Sequence, residues 1–303
     1  MDVTNAIINF RRHLKRKNYS SHTVKNYLNM LQHYIRWLDI PVEAATPDNI
    51  AGYIDFLMDK RLHPKTINCH LSCIRIFYDY VQYEEKINVI NPVRKKVALR
   101  LPAPLPRYVK EEELDILFGT IHKHRDRAMF TLMLRCGLRV AEVANLTLAA
   151  VDLRRKRIVV HNGKGRKDRV VYISDDAYLA LDQYLRLRPK SKIRKVFLVE
   201  KGTCKGQGIS VRGIQSRMEY YTKKTGLKIS CHLLRHTMAT QMLNANAELS
   251  TIQDLLGHNW ITTTQKYCTV FNLKIQRNYF KAMEIVMQRS SPIPLNSHSR
   301  LRH

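Results

Sequence analysis

Apolar residues recur every three to four positions along most of the chain, while β-branched runs are confined to short stretches, so the pattern predicts helices with a small β element. Val24, Tyr27, Leu28, Leu31, Tyr34, Ile35 and Leu38 share one helical face after a start signal at Ser20 and Ser21. Thr46 can cap the next helix, with Pro47 at its first position and Ile50, Tyr53, Ile54 and Leu57 on its inner face. Ile67, Leu71, Ile74, Tyr78 and Val81 mark another. With a short opening helix these make a helical domain over residues 1–90. The periodicity then breaks in NPVRKKVALRLPAPLPR, where prolines and a basic cluster deny regular structure, and 91–108 reads as a linker.

A second domain is predicted over 109–289. A helix restarts at Glu111 with acidic residues at its front, where they suit the helix dipole. HRDRAMFTLMLRCGLRVAEVANL holds an apolar helix ending at Gly137, and Arg139 starts a shorter one, with Glu142 a turn later able to pin Arg139 or the nearby backbone. RIVVHNGKGRKDRVVYI places two β-branched runs around a turn at Asn162 and Gly163, a strong hairpin signal. Residues 175–188 and 210–224 read as helices, VFLV at 196–199 as a third strand, and KGTCKGQGIS as a loop. Over 272–288, Ile275, Tyr279, Met283 and Val286 run down one helical face, widened by Leu273, Phe280 and Met287. The tail 290–303 lacks periodicity and is expected to be disordered. The fold class is α+β, mainly α with a small β-sheet.

Charge changes the picture from fold to partner. The 303 residues carry 52 Lys and Arg against 25 Asp and Glu, a net charge of +27, which favours a polyanion. The basic residues are dispersed and not gathered on one amphipathic helix, so nucleic acid suits them better than a membrane surface. No apolar run is long enough to span a bilayer and the N-terminus lacks a signal-peptide core, so a cytoplasmic, nucleoid-associated protein is expected. Candidate phosphate contacts are Arg11, Arg12, Lys15, Arg16, Lys17, Lys60, Arg61, Lys65 and Arg75 in the first domain, and Arg166, Arg212, Arg217, Lys223 and Lys224 in the second. The six cysteines show no paired C-x-x-C spacing, so buried thiols in a reducing compartment are expected, and no metal or other cofactor. Gly163-Lys164-Gly165 lacks the remainder of a P-loop, which argues against ATP.

The chemistry gathers between Cys231 and Cys268, in CHLLRHTMATQMLNANAELSTIQDLLGHNWITTTQKYC. His232 and Arg235 lie three apart, and on a helix they share a face; His258 and Tyr267 follow. Imidazoles, a guanidinium and a phenol can cleave a phosphodiester without metal: donors balance phosphate charge, an imidazole moves a proton, and a phenol attacks phosphorus.

HLLRHTMAT, LLGH and TTTQKY, with the tyrosine nine residues beyond the LLGH histidine, resemble the second half of the tyrosine recombinase (phage-type integrase) signature, particularly that of Xer-type enzymes. CGLRVAEVANL resembles its first box, and NYSSHTVKNYLNMLQHYIRWL the N-terminal core-binding domain. The resemblance implies six functional positions: Arg139, Lys164, His232, Arg235, His258 and Tyr267. Tyr267 would be the nucleophile, His232 the base and Lys164 the acid, with Arg166 and Lys167 competing for the acid's place in the turn. It further implies a 3′-phosphotyrosyl intermediate, duplex DNA with inverted half-sites, and a tetramer on synapsed DNA, with accessory proteins or a paralogue as further partners. The helix over 272–288 would then dock on a neighbouring protomer, although packing on its own domain would bury the same face. A non-cleaving DNA-binding regulator would use the same basic surface but leave the matched residues unexplained, and a type IB topoisomerase would share the chemistry.

Overall fold

The computed structural model describes residues 2–94, 97–102, 107–161, 168–257, 279–280 and 282–285. Two compact units divide the chain, Met1–Pro104 and Leu105–His303. Among the described residues no helix is long and apolar enough to cross a membrane.

The first unit is built from α1 (Val3–Arg16), α2 (Ser21–Trp37), α3 (Pro47–Asp59) and α4 (Pro64–Tyr83). Each start has a local cause. Asp2 accepts the Thr4 and Asn5 amides, Ser20 accepts that of Thr23, and Thr46 forms a capping box with Asn49 ahead of Pro47. Phe10, Leu31, Tyr34, Tyr53, Ile74 and Phe77 form the centre of its core. Buried hydroxyls are satisfied there: Tyr78 donates to the Val42 carbonyl at 2.8 Å, and its oxygen lies 3.2 Å from that of Tyr34. Part of the proline-rich segment packs on this unit. Val93 is buried in its core, and Asn68 exchanges two hydrogen bonds with the Leu99 backbone.

The second unit runs α5 (Glu111–Thr120), α6 (His124–Arg135), α7 (Val140–Asn145), β1 (Val151–Asp152), β2 (Arg157–Val160), β3 (Arg169–Tyr172), α8 (Asp175–Leu187), α9 (Val211–Thr225), α10 (Cys231–Asn244) and α11 (Leu249–Leu256). The sheet order is β1-β2-β3, antiparallel throughout, with Val160 opposite Arg169 at the hairpin base. Its third strand is therefore β1. The stretch 196–199 instead bonds through Val196 to the Leu146 carbonyl and through Phe197 and Val199 to residues 206–209, with one isolated bridge from Leu198 to Gly208, and it adds no strand to the sheet. Apolar composition marked it as buried, and burial alone does not select a strand pairing. Residues 279–280 and 282–285 are helical; the rest of the helix expected over 272–288, and the tail expected to be disordered, lie outside the described residues.

α6 is buried on nearly every side, and it carries a charge. Asp126, fully inaccessible, accepts from the Arg125 guanidinium at 2.8 and 2.9 Å, from Arg217 at 2.7 Å and from the Tyr221 hydroxyl at 3.0 Å. A buried carboxylate is tolerable only when its lone pairs are filled in this way.

Candidate active site

Gly137 ends α6 in the left-handed conformation, φ +63°, and a Cβ there would lie 2.9 Å from Leu256 Cδ2. That close approach brings the start of α7 against the end of α11. Arg139 is the N-cap of α7, and both of the arrangements open to Glu142 occur together. Its carboxylate accepts the Arg139 amide at 2.7 Å and the Arg139 guanidinium at 2.8 Å. Arg139 also donates to the carbonyls of Leu256 and Gly257, at 3.1 and 3.2 Å.

Arg235 arrives from α10, whose first turn is capped by Ser230. It is only 2% exposed and donates to the carbonyls of Gly137 and Leu256. Two arginines nearly a hundred positions apart thus share the Leu256 oxygen. The last carbonyls of a helix carry partial negative charge and lack intrahelical partners, which explains why guanidiniums gather there. Gly257 follows in the left-handed conformation, and the next residue in sequence is His258.

A third arginine belongs to this cluster and escaped the sequence reading. Arg169, on β3, grips both Glu142 oxygens at 2.8 and 2.7 Å and donates to the Leu255 carbonyl at 2.8 Å. Strand alternation held the signal: Val171 is buried, so Arg169, two positions earlier, faces the same apolar side and needs a buried acceptor. Burial would raise the Glu142 carboxyl, but Arg169 and then Arg139 outweigh it and hold it down to about 2.

His232 is exposed on the first turn of α10, and its ring meets that of His236 edge-on, centroids 4.2 Å apart. His236 was also missed, although the four-residue spacing within HLLRH places both rings on one face. Burial, then the charges of His232 and Arg235, push His236 down to about 4, so near neutrality its ring is uncharged. Lys164, Arg166, Lys167, His258 and Tyr267 lie outside the described residues; His161 and Asp168, which flank residues 162–167, lie 3.0 Å apart.

Arg11, Arg12, Lys15, Arg16, Lys17, Lys60, Arg61 and Lys65 are exposed in the first unit, and Lys223 and Lys224 in the second. Arg75 is half-buried and donates to the Val93 and Arg94 carbonyls. Arg212 is exposed but paired with Glu219 at 2.7 Å, and Arg217 is committed to Asp126. Cys73, Cys136 and Cys231 are buried thiols, Cys69 and Cys204 are exposed, and burial pushes Cys231 up to about 11. Among the described residues no group of His, Cys, Asp and Glu could hold a metal ion. A groove of about 690 Å³ between α5, α6 and α8, lined by Leu114, Phe118, Arg135 and Leu179, lies apart from the arginine cluster.

Glu142 makes the cluster acid-sensitive. Its carboxyl falls from an ordinary 4.5 to about 2 in the folded state. The stabilisation is therefore complete above about pH 4.5 and is lost as pH falls toward 2, about 3 kcal/mol in all at roughly 1.4 kcal/mol per unit. Acid unfolding followed by circular dichroism should show a steep loss of stability across that window. Glu142→Gln should be less stable at neutral pH and flatter below pH 4.5; an equally steep curve would place the acid sensitivity elsewhere.

Residues 107–273 match the Phage integrase family, and residues 7–87 match the phage integrase N-terminal SAM-like domain. Tyrosine recombinase XerC of Thermodesulfovibrio yellowstonii is 34% identical over 276 residues, which cover 87% of this chain and 91% of that protein. The crystal structure of XerA recombinase aligns over 95% of this chain and 100% of its own with 25% identity and a TM-score of 0.52. XerH site-specific recombinase, bound to a palindromic difH substrate in a post-cleavage complex, aligns over 88% of this chain and 82% of its own, with 18% identity and a TM-score of 0.71. The chain belongs to the phage integrase family of tyrosine recombinases and is of the Xer type.

Proposed function

We propose that the protein is a site-specific recombinase that cuts and rejoins duplex DNA through a 3′-phosphotyrosyl intermediate, with Tyr267 as nucleophile. The observation that carries this reading is the meeting of Arg139 and Arg235 on one backbone oxygen, that of Leu256, two residues before His258. Three guanidiniums face a single carboxylate in that cluster, leaving an excess of positive charge. A phosphodiester brings one negative charge, and its pentavalent transition state gathers a second, so the excess favours the transition state over the ground state.

In this mechanism Arg139 and Arg235 bind the non-bridging oxygens, which compete as charged acceptors with the neutral helix-end carbonyls. Arg139, 22% exposed, is the more accessible of the two, and Arg235 forms the floor. His232 accepts the proton of the Tyr267 phenol, whose ordinary pKa of about 10 leaves it a poor nucleophile at neutral pH. The O–P bond to tyrosine forms as the bond to the 5′-oxygen breaks, and Lys164 gives that oxygen its proton. His258 stabilises the charge on phosphorus oxygens. Because the phosphotyrosyl ester retains the energy of the broken linkage, a 5′-hydroxyl can reverse the reaction without ATP.

The basic faces of α1, α3 and α4, including Arg11, Arg12, Lys15, Arg16, Lys60, Arg61 and Lys65, supply phosphate contacts. Arg166, Lys223 and Lys224 add to them from the second unit, and Arg212 does so at the expense of its pair with Glu219. The substrate is duplex DNA with inverted half-sites, a reading supported by the palindromic substrate bound to XerH. The active assembly is a homotetramer on synapsed DNA in the cytoplasm, at the nucleoid, with the helix over 272–288 docking between protomers.

A nicked duplex carrying a target site, incubated with the protein in EDTA, tests the reading. The expected result is a covalent protein–DNA adduct resistant to denaturant. Binding without an adduct would identify a regulator instead, and an adduct accompanied by supercoil relaxation but no strand exchange would indicate topoisomerase activity.

A further inference from the structure

The geometry points to Arg169 as a positioning residue for the cleavage reaction, one that holds Arg139 and the end of α11 in register through Glu142; the inference rests on the recombinase reading above. Its guanidinium is 8% exposed and uses all three nitrogens: two on the Glu142 carboxylate, and Nε on the Leu255 carbonyl. Each contact serves a different part of the site. The Glu142 oxygens fixed by Arg169 also receive the Arg139 amide and guanidinium, so the direction of Arg139 depends on them. Leu255 precedes the Leu256 oxygen shared by Arg139 and Arg235.

The Arg169 side chain also passes close to the backbone leading into His258. A Cβ at Gly257 would stand 3.0 Å from Arg169 Cδ, and Gly257 has φ +58°, so both space and backbone conformation favour glycine there. Arg169 therefore joins β3, the start of α7 and the end of α11, elements that meet only in the folded chain. Its planar fork fits a carboxylate and a carbonyl simultaneously. A lysine's single ammonium can retain the charge but cannot make these three directed contacts.

Arg169→Gln would leave Glu142 paired with Arg139 and 3.9 Å from Arg235, so the carboxylate stays compensated. Arg169→Lys is the gentler variant and retains the charge. Single-turnover cleavage of a nicked duplex, DNA affinity and thermal melting should be measured for both variants and wild type. The expected result is unchanged DNA affinity, with cleavage slowed about 10²-fold, the cost of displacing a catalytic group by about 1 Å. Arg169→Lys should melt close to wild type and still be slow, which a merely structural role would not produce.

A mutant cycle tests the route. Because Arg169 acts through Glu142, adding Arg169→Lys to Glu142→Gln should slow cleavage by much less than the product of the two single effects. A substrate with a 5′-bridging phosphorothiolate, whose leaving group needs no proton, should not rescue Arg169→Lys. Multiplicative effects, rescue by that substrate, or wild-type cleavage by Arg169→Lys would each overturn the assignment. Loss of DNA affinity as the whole defect would overturn it as well. If wild type itself forms no covalent adduct, the recombinase reading fails first and this role falls with it.

Discussion

Tyr267→Phe should abolish the covalent protein–DNA adduct while leaving affinity for target DNA unchanged. The substitution removes one oxygen and keeps the ring, so packing and charge are preserved. Binding is expected to rest on guanidiniums and ammoniums, not on the phenol, because phosphate contacts account for most of a non-specific affinity. Chemistry has no such reserve. Without the phenolic oxygen no phosphotyrosyl bond can form, and the 5′-hydroxyl is never released. The adduct should therefore fall below detection in a denaturing gel, with filter binding or mobility shift unaltered. A wild-type level of adduct would remove Tyr267 from the mechanism. Tyr279, 57% exposed in the helical segment that follows, would then be the next nucleophile to substitute.

Lys164→Ala should slow cleavage of ordinary DNA by about 10²–10⁴, the range for a positioned proton donor. An alkoxide leaves poorly from phosphorus, so a residue that protonates the 5′-oxygen acts chiefly in the transition state. A 5′-bridging phosphorothiolate changes that requirement, because a thiolate leaves without a proton. The variant should cleave that substrate at close to the wild-type rate. Failure of rescue for Lys164→Ala, together with rescue of Arg166→Ala or Lys167→Ala, would transfer the role along the turn. The contrast with Arg169 is informative: an acid is bypassed by a better leaving group, whereas a residue that sets the direction of Arg139 is not.

What the chain determines by itself is local. The face of α2 bearing Val24, Leu31 and Tyr34, the Thr46 cap before Pro47, and the glycine stop after α6 follow from backbone periodicity and from hydrogen bonds within a few residues. The pairing of Glu142 with the Arg139 backbone and side chain is equally local, since three positions along a helix start bring them together. Spacing also drew attention to His232 and Arg235, and the family resemblance to Arg139, without any knowledge of their contacts.

What only the tertiary structure decided is where those groups meet. Arg139 and Arg235 converge on Leu256 across 117 and 21 positions of sequence, and Arg169 reaches Leu255 across 86, distances over which no periodicity carries information. The same is true of Arg217 turning from an expected phosphate contact to the buried Asp126. A basic residue carries the same charge in the sequence whether it faces solvent or a buried carboxylate. Its role is set by which faces pack together, because desolvation makes an inward arginine seek a partner that only the assembled fold can bring to it.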